Sequence, residues 1–326
     1  MRRTLVGILV VALAGPCLGF RNRNDDKVYQ IGVMITDDTY INPVEGFKAG
    51  LAALGYTEGT HVVYQIRNAK LDRGALRGFA KEFVQKRVDL IFTATYIGAQ
   101  AAKEATAASG TPVVFGPAGD PVETGLVQSI NASGNNLTGV STLSLELTAK
   151  RLEMLTRLVP NTRRVAIVFN PHDRFSQEVV KLVYVAAKKL GLTLVECRGR
   201  DAEEILAAVG ALRRDQVDGI FAISDVLVNN QVVALSSIAR ERKLPYVVHL
   251  RSLVERGAFA SYGINTYEIG QQAARLADKV LNGTRPAEIP IETPQKLELV
   301  INQRVAKEIG LALPNRLLRE AQVILR

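Results

Sequence analysis

Cysteine is nearly absent from this chain of 326 residues, which has 2, Cys17 and Cys197. No disulfide framework can be written with so few. Cys197, inside LTLVECR, reads as a small buried residue. Histidine is as scarce: His61, His172 and His249 stand far apart and lack the spacing of metal ligands, so no metal site is expected. The chain also lacks a G-x-G-x-x-G after its first strand, a G-x-x-x-x-G-K-[ST], an H-E-x-x-H and a G-x-S-x-G elbow. The common signatures of nucleotide binding, zinc hydrolysis and acyl transfer are therefore missing. Two carboxylate pairs, Asp37 with Asp38 and Glu123 with Glu255, make poor acid–base dyads, because adjacent aspartates after a strand diverge and serve turns and helix entries. No catalytic residue and no cofactor is expected.

What is present is a globular composition, 47% hydrophobic and 22% charged, which excludes disordered and collagen-like chains. The formal charge of +9 is scattered and has no aromatic-interleaved basic stripe, so nucleic acid is not an expected partner. At the N-terminus, Arg2 and Arg3 precede the apolar run TLVGILVVALAGPCLGF, which ends before RNRNDDK. A positive flank, a short apolar stretch and small residues form an export signal, and Ala12 and Ala14 fit its cleavage pattern. Cys17 after LAGP only partly matches a bacterial lipidation site, because Pro16 takes the place of a small residue. Cleavage, lipidation and an uncleaved anchor all stay open, with residues 1–27 read as signal and linker.

From Val28 onward, short β-branched runs alternate with helical ones: VYQIGVMI, PVEGFKAGLAALG, HVVYQI, ALRGFAKEFVQKR, VDLIFTAT, IGAQAAKEATAAS, TPVVFG. Such alternation, with continuous apolar strands, predicts parallel sheets covered on both faces. The order then restarts at RVAIVFN. Leu54-Gly55 matches Leu190-Gly191, Val88-Asp89 matches Val217-Asp218, Pro112 matches Pro245, and VETG at 122–125 is echoed by Val254, Glu255 and Gly257. The expectation is α/β: two similar doubly wound, Rossmann-like lobes from an internal duplication. Glycine and proline punctuation near 140, 264 and 288 places three crossings between them, a hinge. Lobe 1 takes residues 28–140 plus 264–287, and lobe 2 takes 141–263 plus 288–326.

Polar residues gather where the parallel strands end, which is where open α/β sheets bind ligands. In the first lobe these are Thr36, Asp37, Asp38, Thr39 and Tyr40, then Thr95 and Tyr96 before a helix whose free N–H groups favour an anion. In the second they are Asn170, with Asp173, Phe175 and Ser176 beyond it, Ser224 and Asp225, and the end near His249. Thr95, Ser176 and Asp225 read equally as helix caps. Tyr40, Tyr96, Phe115 and Phe175 are rings that either stack an aromatic ligand or fill the core.

The runs GFKAGLAALGYTEGTHVVYQIRNAKLD, VDLIFTATYIGAQAAKEATAASGTPVVFGPAGDPVETGLVQSI, GNNLTGVST, LPNTRRVAIVFNP and IPIETPQKLELVINQRVAKEIGL resemble the ABC-transporter substrate-binding proteins of the type I periplasmic-binding-protein superfamily. More narrowly, they resemble the subfamily with tryptophan- and tyrosine-type binding lipoproteins. The resemblance spans nearly all of Val28 to Leu311. It implies an exported, non-enzymatic receptor, monomeric when soluble, that captures a small polar solute by hinge closure. Membrane permease and ATPase subunits would be its partners. By resemblance, ligand contacts fall on Asp37 to Tyr40, Thr95, Tyr96, Ser141, Thr142, Asn170 with the loop after it, and Ser224-Asp225. Asp225 would face a ligand ammonium, and the helix after Thr95 a carboxylate. Many members carry Asn and Thr after that aspartate; this chain has Val226 and Leu227. A sensory receptor feeding a kinase or chemoreceptor is the alternative, and an enzyme a weaker one.

Overall fold

The computed structural model describes residues 27–325. The expected export signal, with Ala12, Ala14 and Cys17, lies outside the described residues. The first sheet is built from β1 (Tyr29–Ile35), β2 (Val62–Asn68), β3 (Leu90–Thr93), β4 (Val113–Phe115) and β5 (Leu137–Gly139). Its order is β2-β1-β3-β4-β5 and every pair is parallel. Because helices cover both faces, the central strands are apolar throughout: all four residues of β3 are buried. Helices α1 (Ile41–Ala53), α2 (Arg73–Gln85) and α3 (Tyr96–Thr106) connect these strands. Asp72 starts α2 by accepting from the backbone N–H of Gly74 and Ala75, and Thr95 starts α3 by accepting from Gly98 N–H.

After α4 (Ser144–Leu158) the pattern repeats. The second lobe runs β6 (Arg164–Phe169), α5 (Arg174–Leu190), β7 (Thr193–Arg198), α6 (Ala202–Gly210), β8 (Gly219–Ala222), α7 (Val226–Asn230), α8 (Val232–Glu241), β9 (Tyr246–Val248), α9 (Arg251–Glu255) and β10 (Ala260–Ile264). The order β7-β6-β8-β9-β10 reproduces that of the first sheet strand for strand. The sequence echo falls in equivalent places, between the fourth and fifth strands of each sheet, and Gly125 and Gly257 both sit at positive φ, +70° and +120°. That backbone requirement explains why glycine recurs there.

The chain then returns to the first lobe as α10 (Thr266–Leu281) before completing the second sheet with β11 (Leu297–Asn302), α11 (Gln303–Glu308), α12 (Asn315–Glu320) and β12 (Val323–Leu325). β11 pairs antiparallel with β10, the one departure from parallel pairing among the described strands. Glycines seat α10 on α1. A Cβ at Gly46 would stand 2.0 Å from the Tyr267 carbonyl oxygen, and one at Gly270 would stand 2.1 Å from that of Pro43. Two of the segments linking the sheets run side by side: Ser141 N–H donates to the Glu292 carbonyl at 2.9 Å, and Glu292 N–H donates to that of Gly139 at 2.9 Å.

Candidate functional site

The strand ends of the two sheets face each other across a pocket of about 650 Å³, counting the open solvent at its mouth. Tyr40 enters it from beyond β1, Thr95 and Tyr96 from beyond β3, and Pro117 and Gly119 from beyond β4. Opposite them stand Asp173 and Phe175 after β6, Ser224, Asp225, Val226 and Asn229 after β8, and His249 and Leu250 after β9. Thr142, Arg151 and Ile264 close the floor near the crossings.

Asp225 is buried and caps α7. One carboxylate oxygen accepts from Leu227 N–H at 2.8 Å and Val228 N–H at 3.2 Å. The other accepts from Ser176 Oγ at 2.6 Å and Asn170 N–H at 3.0 Å. An ionised carboxylate offers about four lone-pair positions, and four protein donors take them. Burial raises the Asp225 pKa, against the pull of Ser176 and the backbone donors. The carboxylate thereby ties the end of β6 to α5 and α7.

Asp173 plays the same capping part at α5, accepting from Ser176 N–H at 2.8 Å, and its other oxygen accepts from the Tyr96 phenol at 2.9 Å. Arg73 adds an ion pair to Asp173 at 3.7 Å. The Tyr96 and Phe175 rings lie 5.8 Å apart at 37°. Asn229 Nδ2 donates to the Tyr40 phenol at 3.4 Å, and Arg256 donates to Thr39 Oγ1 at 2.8 Å. The Tyr96 and Tyr40 contacts join the two halves of the pocket wall, and the Arg256 contact joins the lobes at a neighbouring open cleft. Burial first, with nearby carboxylates adding to it, pushes the phenols of Tyr40 and Tyr96 well above the usual range, so both stay neutral.

The pocket floor holds an uncommon group, a guanidinium from within a helix that is only 3% exposed: Arg151 of α4. Its Nε donates to the Tyr262 carbonyl at 3.0 Å. Burial lowers its pKa to about 10, while Asp120 works the other way, so it is charged at neutral pH. Burial raises Asp120 to about 6, although its carboxylate accepts from Leu145 N–H at 3.0 Å. His249 is driven down to about 3, by burial first and then by the charge of Arg151, and is neutral.

Of the residues singled out from sequence, Tyr40, Thr95, Tyr96, Thr142, Asp173, Phe175, Ser224, Asp225 and His249 line this pocket. Asp37, Asp38 and Thr39 line a separate open cleft with Ser252, Glu255 and Arg256. There Asp37 caps its own turn at Thr39 N–H, and Asp38 accepts from Asn68. Phe115 is fully buried in the first lobe's core, over Gly139. Ser141 Oγ donates to the Gly119 carbonyl at 3.3 Å, and Asn170 Oδ1 accepts from His172 N–H at 2.9 Å. Ser176 lies behind Asp225, fully buried. Sequence reasoning missed Arg151, Asn229, Pro117 and Gly119. Arg151 had a signal: it interrupts the apolar stripe Leu147, Leu155, Leu158 at helical spacing, which places a charge on a core face.

Residues 29–324 match the family model for ABC transporter substrate binding protein. The chain belongs to this family. It is 30% identical over 268 residues to the tyrosine-binding protein of Clostridioides difficile (strain R20291), covering 82% of this chain and 76% of that one. The structure of an ABC domain in complex with L-Trp from Streptococcus pneumonia is similar with a TM-score of 0.84 at 25% identity, covering 92% of this chain and 100% of the other. The ligand-free, open structure of CD0873, a substrate binding protein with adhesive properties from Clostridium difficile, gives 0.70 at 26% identity, covering 91% and 99%. The family is one of solute-binding proteins and not of enzymes. Its members act outside the cytoplasm with transporter subunits as partners. No helix among the described residues is long and apolar enough to cross a membrane.

Proposed function

We propose that this chain is the solute receptor of an ABC importer, taking an amino acid or related small polar compound, aromatic ones included, into the pocket between two closing lobes. The observation that carries the reading is the pair of bonds spanning the pocket, Tyr96 to Asp173 and Asn229 to Tyr40, over buried polar groups. The contrast between two relatives supports it. At nearly equal identity, 25% and 26%, the chain superposes better on the L-Trp complex than on the open, ligand-free structure, with TM-scores of 0.84 and 0.70. The lobes are residues 28–140 with 264–287, and 141–263 with 288–326. The paired segments at 139–141 and 292 would flex between them. Residues 1–27 would direct export, and the permease and ATPase would receive the closed, monomeric form.

Micromolar capture needs about 8 kcal/mol, which a few charge-assisted hydrogen bonds of about 1.5–3 kcal/mol each and one buried apolar group supply after closure costs. A thermal-shift screen of residues 28–326 against amino acids, aromatic acids, amides, nucleosides and sugars tests the reading. A solute at 100 times its Kd adds about 2.7 kcal/mol, a shift of several degrees. One chemical class is expected to raise the midpoint and to make the protein more compact in solution scattering. A flat response throughout would defeat the proposal.

A further inference from the structure

Resting on that reading of the pocket, we propose that Asn229 and Tyr40 are its specificity-determining pair. Together they recognise a neutral solute group that both donates and accepts a hydrogen bond, a hydroxyl or a carboxamide, on an aromatic body. Tyr40 comes from the turn beyond β1 and Asn229 from α7 beyond β8, and both line the pocket. They are 8% and 2% exposed. Buried polar atoms need partners, and here the protein supplies only some of them.

Asn229 Nδ2 donates to the Tyr40 phenol at 3.4 Å, longer than a strong hydrogen bond, so the two side chains hold each other loosely. Asn229 Oδ1 is buried and has no partner among the described residues. The Tyr40 phenol, kept neutral by burial, accepts the Asn229 bond and retains a hydrogen that no acceptor among the described residues takes. One acceptor and one donor are left over on neighbouring side chains. Turning the amide over exchanges the roles of the two residues and still leaves one of each.

Only a group that donates and accepts completes both atoms. A hydroxyl or a carboxamide does so, whereas an ammonium only donates and an ionised carboxylate only accepts. An apolar group strands both. Asp225, at the start of the same helix, does not take over this part, because Leu227, Val228, Asn170 and Ser176 fill its acceptor positions. The remaining wall offers the rings of Tyr96 and Phe175 with the aliphatic Val226, Leu250 and Ile264, which suit an aromatic body. A site that leaves buried polar atoms unmatched by an analogue rejects that analogue strongly.

Isothermal titration of the purified protein with matched probes tests this. L-tyrosine and 4-carbamoyl-L-phenylalanine are compared with L-phenylalanine, and 3-phenyllactate with 3-phenylpropionate. In at least one comparison the hydroxyl or carboxamide member is expected to bind at least tenfold tighter than its parent, and the arm that does so tells the two groups apart. Tyr40→Phe and Asn229→Leu should each cut that ratio at least fivefold, which a merely structural role would not do. If Asn229→Leu does not fold, Tyr40→Phe decides alone. A ratio under tenfold in every comparison, or one that Tyr40→Phe cuts less than fivefold, would overturn the proposal and leave the receptor reading intact. Binding of none of the five probes while another solute class binds overturns it equally. Silence across the broad solute screen defeats the receptor reading itself, and this proposal with it.

Discussion

The Tyr96 phenol at the start of α3 donates to the carboxylate of Asp173 at the start of α5, 2.9 Å away across the pocket. The bond joins the two lobes. A hydrogen bond to a charged group contributes about 1.5–3 kcal/mol. Tyr96→Phe keeps the ring against Phe175 and removes only that bond, so affinity for the solute should fall roughly 10- to 100-fold. Solution scattering of the ligand-free variant should also show a larger radius of gyration. Unchanged affinity together with an unchanged radius would show that the bond does not favour the closed form.

Asp225→Ala removes a helix cap and leaves Asn170 N–H and Ser176 Oγ without their acceptor. Losing the cap costs about 1 kcal/mol and each stranded buried donor about 1–3 kcal/mol. Urea unfolding without ligand should show a loss of about 3–7 kcal/mol, with a smaller loss for Asp225→Asn. A variant as stable as wild type that merely bound poorly would restore Asp225 to a pure ligand-binding role.

The glycine seam offers a paired test. Gly46→Ala drives a methyl into the Tyr267 backbone and should cost about 1–3 kcal/mol or more. Gly78→Ala, on the open face of α2 with nothing within 4 Å, should gain about 0.5–1 kcal/mol. Equal responses at the two sites would contradict the packing described.

His249 sets the acid limit. Its folded pKa, about 3, lies below the unfolded value near 6.5, so between these pH values the unfolded chain binds the extra proton. Its contribution is therefore intact above about pH 6.5 and is lost as pH falls, at about 1.4 kcal/mol per unit and about 2 kcal/mol by pH 5. Asp120, raised to about 6, acts in the opposite sense between roughly pH 4 and 6 and partly masks the slope. Subtracting the stability curve of His249→Gln isolates the histidine. A difference that stays flat from pH 7 to 4 would refute a buried neutral imidazole.

The duplicated architecture was legible because glycine turns and strand starts recur in order, and positive φ at Gly125 and Gly257 explains why that grammar persists. The strand-end rims were also legible: the pocket wall includes Thr95, Tyr96, Phe175 and Asp225. Whether a polar side chain there serves a helix or faces the pocket was not legible. Ser176 and Phe175 are neighbours in sequence, yet one lies behind Asp225 and the other against Tyr96. That distinction depends on side-chain direction at a helix start, which no periodicity encodes. Arg151 escaped attention for another reason: it sits mid-helix, far from any strand end.

The return of α10 to the first lobe has a consequence for biogenesis. Tyr56, just past α1, bonds through its phenol to Asp278, 222 residues later. A ribosome must pass through β6 to β10 of the second lobe before the first can cover the glycine face of α1. Until then an apolar groove waits without its matching helix, so the N-terminal lobe, first to be started, stays open while most of the second is made. Any factor that shields nascent chains would find its longest task there.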